Sequence, residues 1–138
     1  MDMAIDLAAH RVGLTGANPA VGCVLVRAGD LIAASVTGEG GRPHAEEQAL
    51  SAAGDRAQGA TAYVTLEPCG ERSGGGPSCA ELLARAGVVR VVIACADASP
   101  FASGRGSAVL EAAGVTVETG LLESEAAELY DDYAYRSD

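Results

Sequence analysis

His44 and Glu46 lie within the segment Gly40-Gly41-Arg42-Pro43-His44-Ala45-Glu46, and further on Cys69 and Cys79 bracket a loop rich in Gly and Ser. One imidazole and two thiolates are a ligand set for tetrahedral zinc that leaves the fourth position open, as in a catalytic rather than a closed structural site. Zinc held this way lowers the pKa of water toward ~7, which supplies a nucleophile at neutral pH. A neighbouring carboxylate must then carry the proton, and Glu46, two residues past a candidate ligand, is placed to do so. Glu46 could instead be a first-turn acid that complements a helix dipole, worth about 0.3–1 kcal/mol. For Cys69 and Cys79 the alternative is a pair of buried thiols or a disulfide. The joint pattern of His-Ala-Glu and Pro-Cys favours ligation.

These groups must be brought together by the elements that carry them. Met1, Ile5, Ala8 and Val12 recur at helical spacing, and Gly13 to Pro19 then breaks the pattern. Val21 to Arg27 and Leu31 to Val36 are apolar runs separated by Ala28-Gly29-Asp30, which reads as a hairpin. Ala53-Gly54, Ala86-Gly87 and Ala113-Gly114 each close a helical pattern, and the apolar runs Thr61 to Leu66, Val88 to Ala94 and Val115 to Val117 follow them. A final stripe of Leu122, Ala126, Leu129 and Tyr133 predicts an amphipathic helix. The order is helix, hairpin, helix, strand, helix, strand, helix, strand, helix, which predicts an α/β protein with one mixed sheet between helical layers. His44 and Cys79 then open helices and Cys69 follows a strand, so the three converge on one edge of the sheet. Helix N-terminal amides are expected to favour a thiolate at Cys79.

His44-Ala45-Glu46 and Glu67-Pro68-Cys69 followed by Cys79 resemble the signature of the cytidine-deaminase superfamily. More narrowly, Ala17 to Val24, Tyr63 to Cys69 and Ala86 to Val92 are similar to the deaminase domain of bacterial riboflavin-biosynthesis deaminase/reductases, over most of the chain to about Gly120. The resemblance implies a three-layer α/β/α fold with a sheet of about five strands. It also implies Zn2+ on His44, Cys69 and Cys79, with Glu46 moving protons while a ring amine is replaced by a carbonyl. By the same resemblance Asn18 hydrogen-bonds the substrate, Ala45 offers backbone contacts beside the metal, and the assembly is a homodimer or homotetramer. The loop Gly70 to Ser78 departs from the family, lacking its His and carrying Glu71. Arg72 in that loop, and Arg105 of Gly104-Arg105-Gly106 in place of a family Lys, are the candidates to meet a substrate phosphate. A family Asp-Pro-Asn-Pro appears as Asp97-Ala98-Ser99-Pro100.

The substrate class implied is a riboflavin-pathway diaminopyrimidine, as such or as its ribosyl phosphate, or a related heterocycle of specialised metabolism. A cytidine, cytosine or guanine deaminase is the second enzymatic reading, and a zinc-stabilised binding module or inactive partner subunit the non-enzymatic one. Glu46 beside an open ligand set argues against the last. Among the remaining polar and thiol groups, Cys23 and Cys95 lie in apolar runs and are expected to pack in the core, and Glu67 to fix its loop or touch substrate. His10 has no companion ligand, and Gly74-Gly75-Gly76 lacks the following Lys-Ser or Lys-Thr of a nucleotide-binding loop. Phe101 is expected to pack in its loop or to cover a bound ring, and Tyr130, Tyr133 and Tyr135 to pack the last helix or a subunit contact.

Composition bounds the rest. A chain of 138 residues, 49% hydrophobic and only 4% aromatic, can bury one core built from small aliphatic side chains, and a single domain over 1–138 is expected. Nine basic against nineteen acidic residues give a net charge of −10, which repels polyanions and makes nucleic acid a poor partner. No apolar stretch approaches the ~18 residues of a membrane span and no targeting segment is evident, so a cytoplasmic location is expected. Four cysteines there are more often thiols or ligands than disulfides.

Overall fold

The computed structural model describes residues 1–72, 75–96 and 104–131. Helix α1 (Asp2–Ala9) is followed by strands β1 (Gly22–Arg27) and β2 (Asp30–Val36), helix α2 (Ala45–Ala53) and strand β3 (Thr61–Leu66). Then come α3 (Cys79–Arg85), β4 (Arg90–Cys95), α4 (Arg105–Ala112), β5 (Thr116–Thr119) and α5 (Glu123–Ala127), with short 3-10 turns between some of them. The five strands form one mixed sheet in the order β2-β1-β3-β4-β5. Strand β1 is antiparallel to β2 and β3, whereas β3, β4 and β5 run parallel.

The two faces carry separate apolar clusters. Cys23 and Leu25 of β1, Ala62 and Val64 of β3, and Val91 and Ile93 of β4 alternate along their strands and pack with Ala45, Ala49 and Ala53 of α2, Leu83 of α3 and Leu110 of α4. Alanines at every fourth position of α2 let that helix lie close on the sheet, which is how so few aromatics still fill a core. A second cluster joins Leu66, Ala94, Cys95 and Ala126 of α5 with Met1 and Ile5 at the N-terminal helix. Across it the Tyr130 hydroxyl donates to the Ala20 carbonyl at 2.9 Å and lies 2.7 Å from Thr65 Oγ1. The architecture is thus helices on both faces of a five-stranded sheet, as expected. Cys23 and Cys95 are both buried, and Tyr130 packs on the sheet.

Several boundaries move. Asp30 pairs with Arg27 and belongs to β2, so the hairpin turn is Ala28-Gly29, with φ of +52° and +82°. Two positive φ values are what a tight hairpin turn requires, because only that hand of turn follows the twist of the strands. Val12 lies beyond the end of α1 and is 48% exposed; the turn after His10 takes it off the buried stripe. Leu122 adopts a left-handed conformation that starts α5 only at Glu123, so the terminal helix is shorter than its stripe. Tyr133, Tyr135, Asp97 to Pro100 and Phe101 lie outside the described residues, as do Ser73 and Gly74 of the loop between the cysteines.

Candidate active site

Two crossover connections deliver the three ligands, β2–α2–β3 and β3–α3–β4. His44 is the N-cap of α2, in an extended conformation that ends the chain's run from β2. Cys69 follows Glu67-Pro68 at the C-terminal end of β3, and Cys79 is the first residue of α3. Ser78 caps that helix: its hydroxyl accepts the Glu81 N–H at 3.2 Å while the Glu81 carboxylate accepts the Ser78 N–H at 3.3 Å. This reciprocal pair fixes where α3 begins and hence where the Cys79 sulfur lies. A second brace comes from Ala80, whose N–H donates to the Cys69 carbonyl at 3.1 Å.

The ligating atoms of His44, Cys69 and Cys79 all lie within 4.8 Å of one another, and His44 Nδ1 is 3.3 Å from Cys79 Sγ. Zinc with bonds of ~2.0–2.3 Å spaces tetrahedral ligands roughly 3.4–3.8 Å apart, so this donor set fits the metal in both chemistry and spread. Cys79 is buried and Cys69 and His44 are half-buried. Cys69 receives hydrogen bonds from the Cys79 thiol and, at 3.3 Å, from the Cys79 backbone N–H, and its pKa is pulled down to about 4. Cys79 is pushed up by its bond to Cys69, by burial and by the nearby Glu46 carboxylate. The first N–H of α3 points back to the Cys69 sulfur, so the helix amide meets the preceding cysteine directly rather than Cys79, where the sequence led us to expect its effect.

Glu46 is 4% exposed. Burial pushes its carboxyl up to about 7, against the pull of His44. A carboxyl with that affinity for protons both takes and releases one near neutrality. Ala45, between the ligand and the acid in sequence, is wholly buried in the main core cluster. Asn18 donates through Nδ2 to the Gly41 carbonyl at 3.0 Å, tying the loop before β1 to the segment that leads into His44.

The two candidate arginines are both paired. Arg72 forms an ion pair with Glu47 and lies 3.8 Å, through Nη2, from Cys79 Sγ. Arg105 pairs with Glu71, both well exposed, one layer further out. Glu67 is buried and accepts from the Gly104 and Ser107 N–H groups at 3.1 and 3.2 Å and from the Ser107 hydroxyl at 3.0 Å. Its carboxylate closes the open N-terminal turn of α4 and fixes the loop ahead of Cys69. Glu47 was absent from the sequence reading. Its spacing of three from an N-cap residue is a known helix-start pattern and was the available signal.

A family profile described as "Cytidine and deoxycytidylate deaminase zinc-binding region" matches residues 1–95. The riboflavin biosynthesis protein RibD of Aquifex aeolicus is 44% identical over 133 residues, covering 96% of this chain, which spans 37% of that relative's length. The diaminohydroxyphosphoribosylamino-pyrimidine deaminase of Buchnera aphidicola is 43% identical, and the match covers 91% of this chain and 84% of that protein. Among solved structures, Acinetobacter baumannii RibD superposes with a TM-score of 0.89 at 46% identity, over 96% of this chain and 37% of that one. Sequence, fold and donor set agree, and the chain belongs to the cytidine and deoxycytidylate deaminase zinc-binding family.

Proposed function

We propose that the chain is a zinc-dependent aminohydrolase whose substrate is the riboflavin-pathway diaminopyrimidine in its phosphoribosyl form. The observation that carries this reading is the cluster of His44, Cys69 and Cys79 with the buried Glu46 beside it. The names of the similar proteins support the substrate class. His44, Cys69 and Cys79 hold the zinc, which when bound supplies Lewis acidity that acidifies water at neutral pH. Glu46 takes a proton as the water oxygen bonds to the ring carbon, and returns a proton to the amine as the C–N bond breaks. Water is consumed, ammonia leaves and a ring carbonyl remains. The backbone at Ala45 and the Asn18 amide orient the ring. Since Arg72 is committed to Glu47 and turned to Cys79, Arg105 is the group that meets the phosphate, in exchange for Glu71.

Among the described residues no helix is long and apolar enough to cross a membrane, and a cytoplasmic enzyme with no nucleic-acid partner fits the net charge of −10. Exposed Met3, Val12 and Leu14 offer apolar area for a homodimer or homotetramer, which light scattering of the purified protein would count.

Ammonia release tests the reading. The zinc-loaded protein should act on the diaminohydroxyphosphoribosylamino-pyrimidine and more slowly on its dephosphorylated form. Preference for cytidine, deoxycytidylate or guanine would move it to another branch of the family. Inactivity on every compound, with zinc bound, would favour a binding module.

A further inference from the structure

We propose that Glu47 and Arg72 act together as a positioning clamp on the metal ligands, joining the His44 side of the centre to the Cys79 side. The inference rests on reading His44, Cys69 and Cys79 as the zinc ligands. Glu47 is the third residue of α2, and its Oε1 accepts the His44 backbone N–H at 3.3 Å while lying 4.0 Å from His44 Nδ1. The same oxygen takes the ion pair from Arg72 Nη2, which lies 3.8 Å from Cys79 Sγ. One carboxylate and one guanidinium thus run from the first ligand to the last, beside the direct approach of His44 Nδ1 to Cys79 Sγ at 3.3 Å.

The surroundings set this pair apart from an ordinary surface ion pair. The Glu47 and Arg72 side chains are 28% and 16% exposed, whereas the Arg85–Glu81 pair is 66% and 40% exposed. Arg72 Nε is buried without a hydrogen-bond partner among the described residues. Arginine bears that desolvation only where its other contacts hold it in place. Arg72 is also an anchor in the glycine-rich stretch between the cysteines, so fixing it lowers the freedom of the backbone that leads into Cys79. A cationic N–H beside the Cys79 sulfur disperses the charge that ligation places there and orients its lone pairs, and outer partners of this sort are worth about 10- to 100-fold in metal affinity.

Zinc transfer from the loaded protein to a chromophoric chelator reads the clamp without reference to turnover. Arg72→Met should release zinc at least about tenfold faster than wild type, and Arg72→Lys, which keeps the charge without the planar fork, should fall between the two. Glu47→Gln, nearly isosteric and on a helix surface, should speed release several-fold, and the double variant should be no faster than Arg72→Met alone, because the two residues work through one another. Should Arg72→Met fail to fold, Glu47→Gln carries the test by itself. Wild-type release rates in these variants would overturn the clamp, all the more if Arg72→Met instead raised KM for the phosphorylated substrate only. A wild-type protein that takes up no zinc would overturn the deaminase reading and the clamp together, so the two failures are distinct.

Discussion

Glu46 combines full burial with a carboxyl raised to about 7, and that combination separates a proton carrier from a helix-capping acid. A first-turn acid gains at most ~1 kcal/mol from the dipole and stays hydrated, whereas burial of a carboxylate beside candidate metal ligands is a cost kept for a purpose. Glu46→Gln should therefore retain one zinc per chain and the same unfolding midpoint within a few degrees, while kcat falls by roughly 10²–10⁴. Turnover at near wild-type rate would remove Glu46 from the mechanism. Glu67, the other buried acid near the cysteines, makes the contrasting case. Among the described residues its oxygens meet donors from Gly104 and Ser107, so Glu67→Gln sets an amide N–H₂ against those donors and should destabilise the fold by about 2–3 kcal/mol in denaturant unfolding. The grouping of His44, Cys69 and Cys79 was legible from residue type and spacing because metal chemistry admits few substitutes, and the role proposed for Glu46 was read from the same pattern. The roles of Glu67 and Glu47 were not, since the groups they bind are backbone amides and an arginine brought near by folding.

At the scale of elements, the strands and helices around the site could be read because Ala-Gly stops and β-branched runs mark each crossover, and β3 falls where its apolar run predicts. What the pattern did not contain was turn geometry and close packing. Ala28 occupies a left-handed position, φ +52°, that costs an L-residue with a Cβ roughly 1–2 kcal/mol. Ala28→Gly or Ala28→Asn should accordingly raise stability by about 0.5–1 kcal/mol, visible as a higher denaturant midpoint with an unchanged slope. An unchanged or lower midpoint would mean that the turn is not the one described. At the other end of the sheet, a Cβ on Gly106 would stand 1.8 Å from the Pro68 carbonyl oxygen. Helix α4 therefore presses directly on the loop that carries Cys69. Gly106→Ala must push the two apart, and we expect a loss of at least ~2 kcal/mol together with weaker zinc retention, since the ligand loop moves with the helix.

Taken whole, the molecule has its apolar clusters spread over both faces of the sheet, while the candidate metal ligands come from the starts of α2 and α3 and the loop after β3. The core does not pass through the metal site, so the sheet should persist without the ion, unlike small zinc modules that have no other core. Zinc nevertheless binds only the folded arrangement, and it adds stability as RT ln(1 + [Zn]/Kd), about 4 kcal/mol when free zinc is a thousand times Kd. For a chain of 138 residues that amounts to a rise in Tm on the order of 10 °C. Chelation followed by calorimetry should thus give a cooperative unfolding transition at lower temperature, with far-UV circular dichroism nearly unchanged below it, and readded zinc should restore the higher Tm. The same titration on Cys69→Ala should show little or no zinc-dependent shift, because an imidazole and one thiolate leave too few donors for a tight site. A full shift in that variant would place the metal elsewhere, and loss of all secondary structure on chelation would mean that the sheet leans on the ion far more than its buried aliphatic clusters imply.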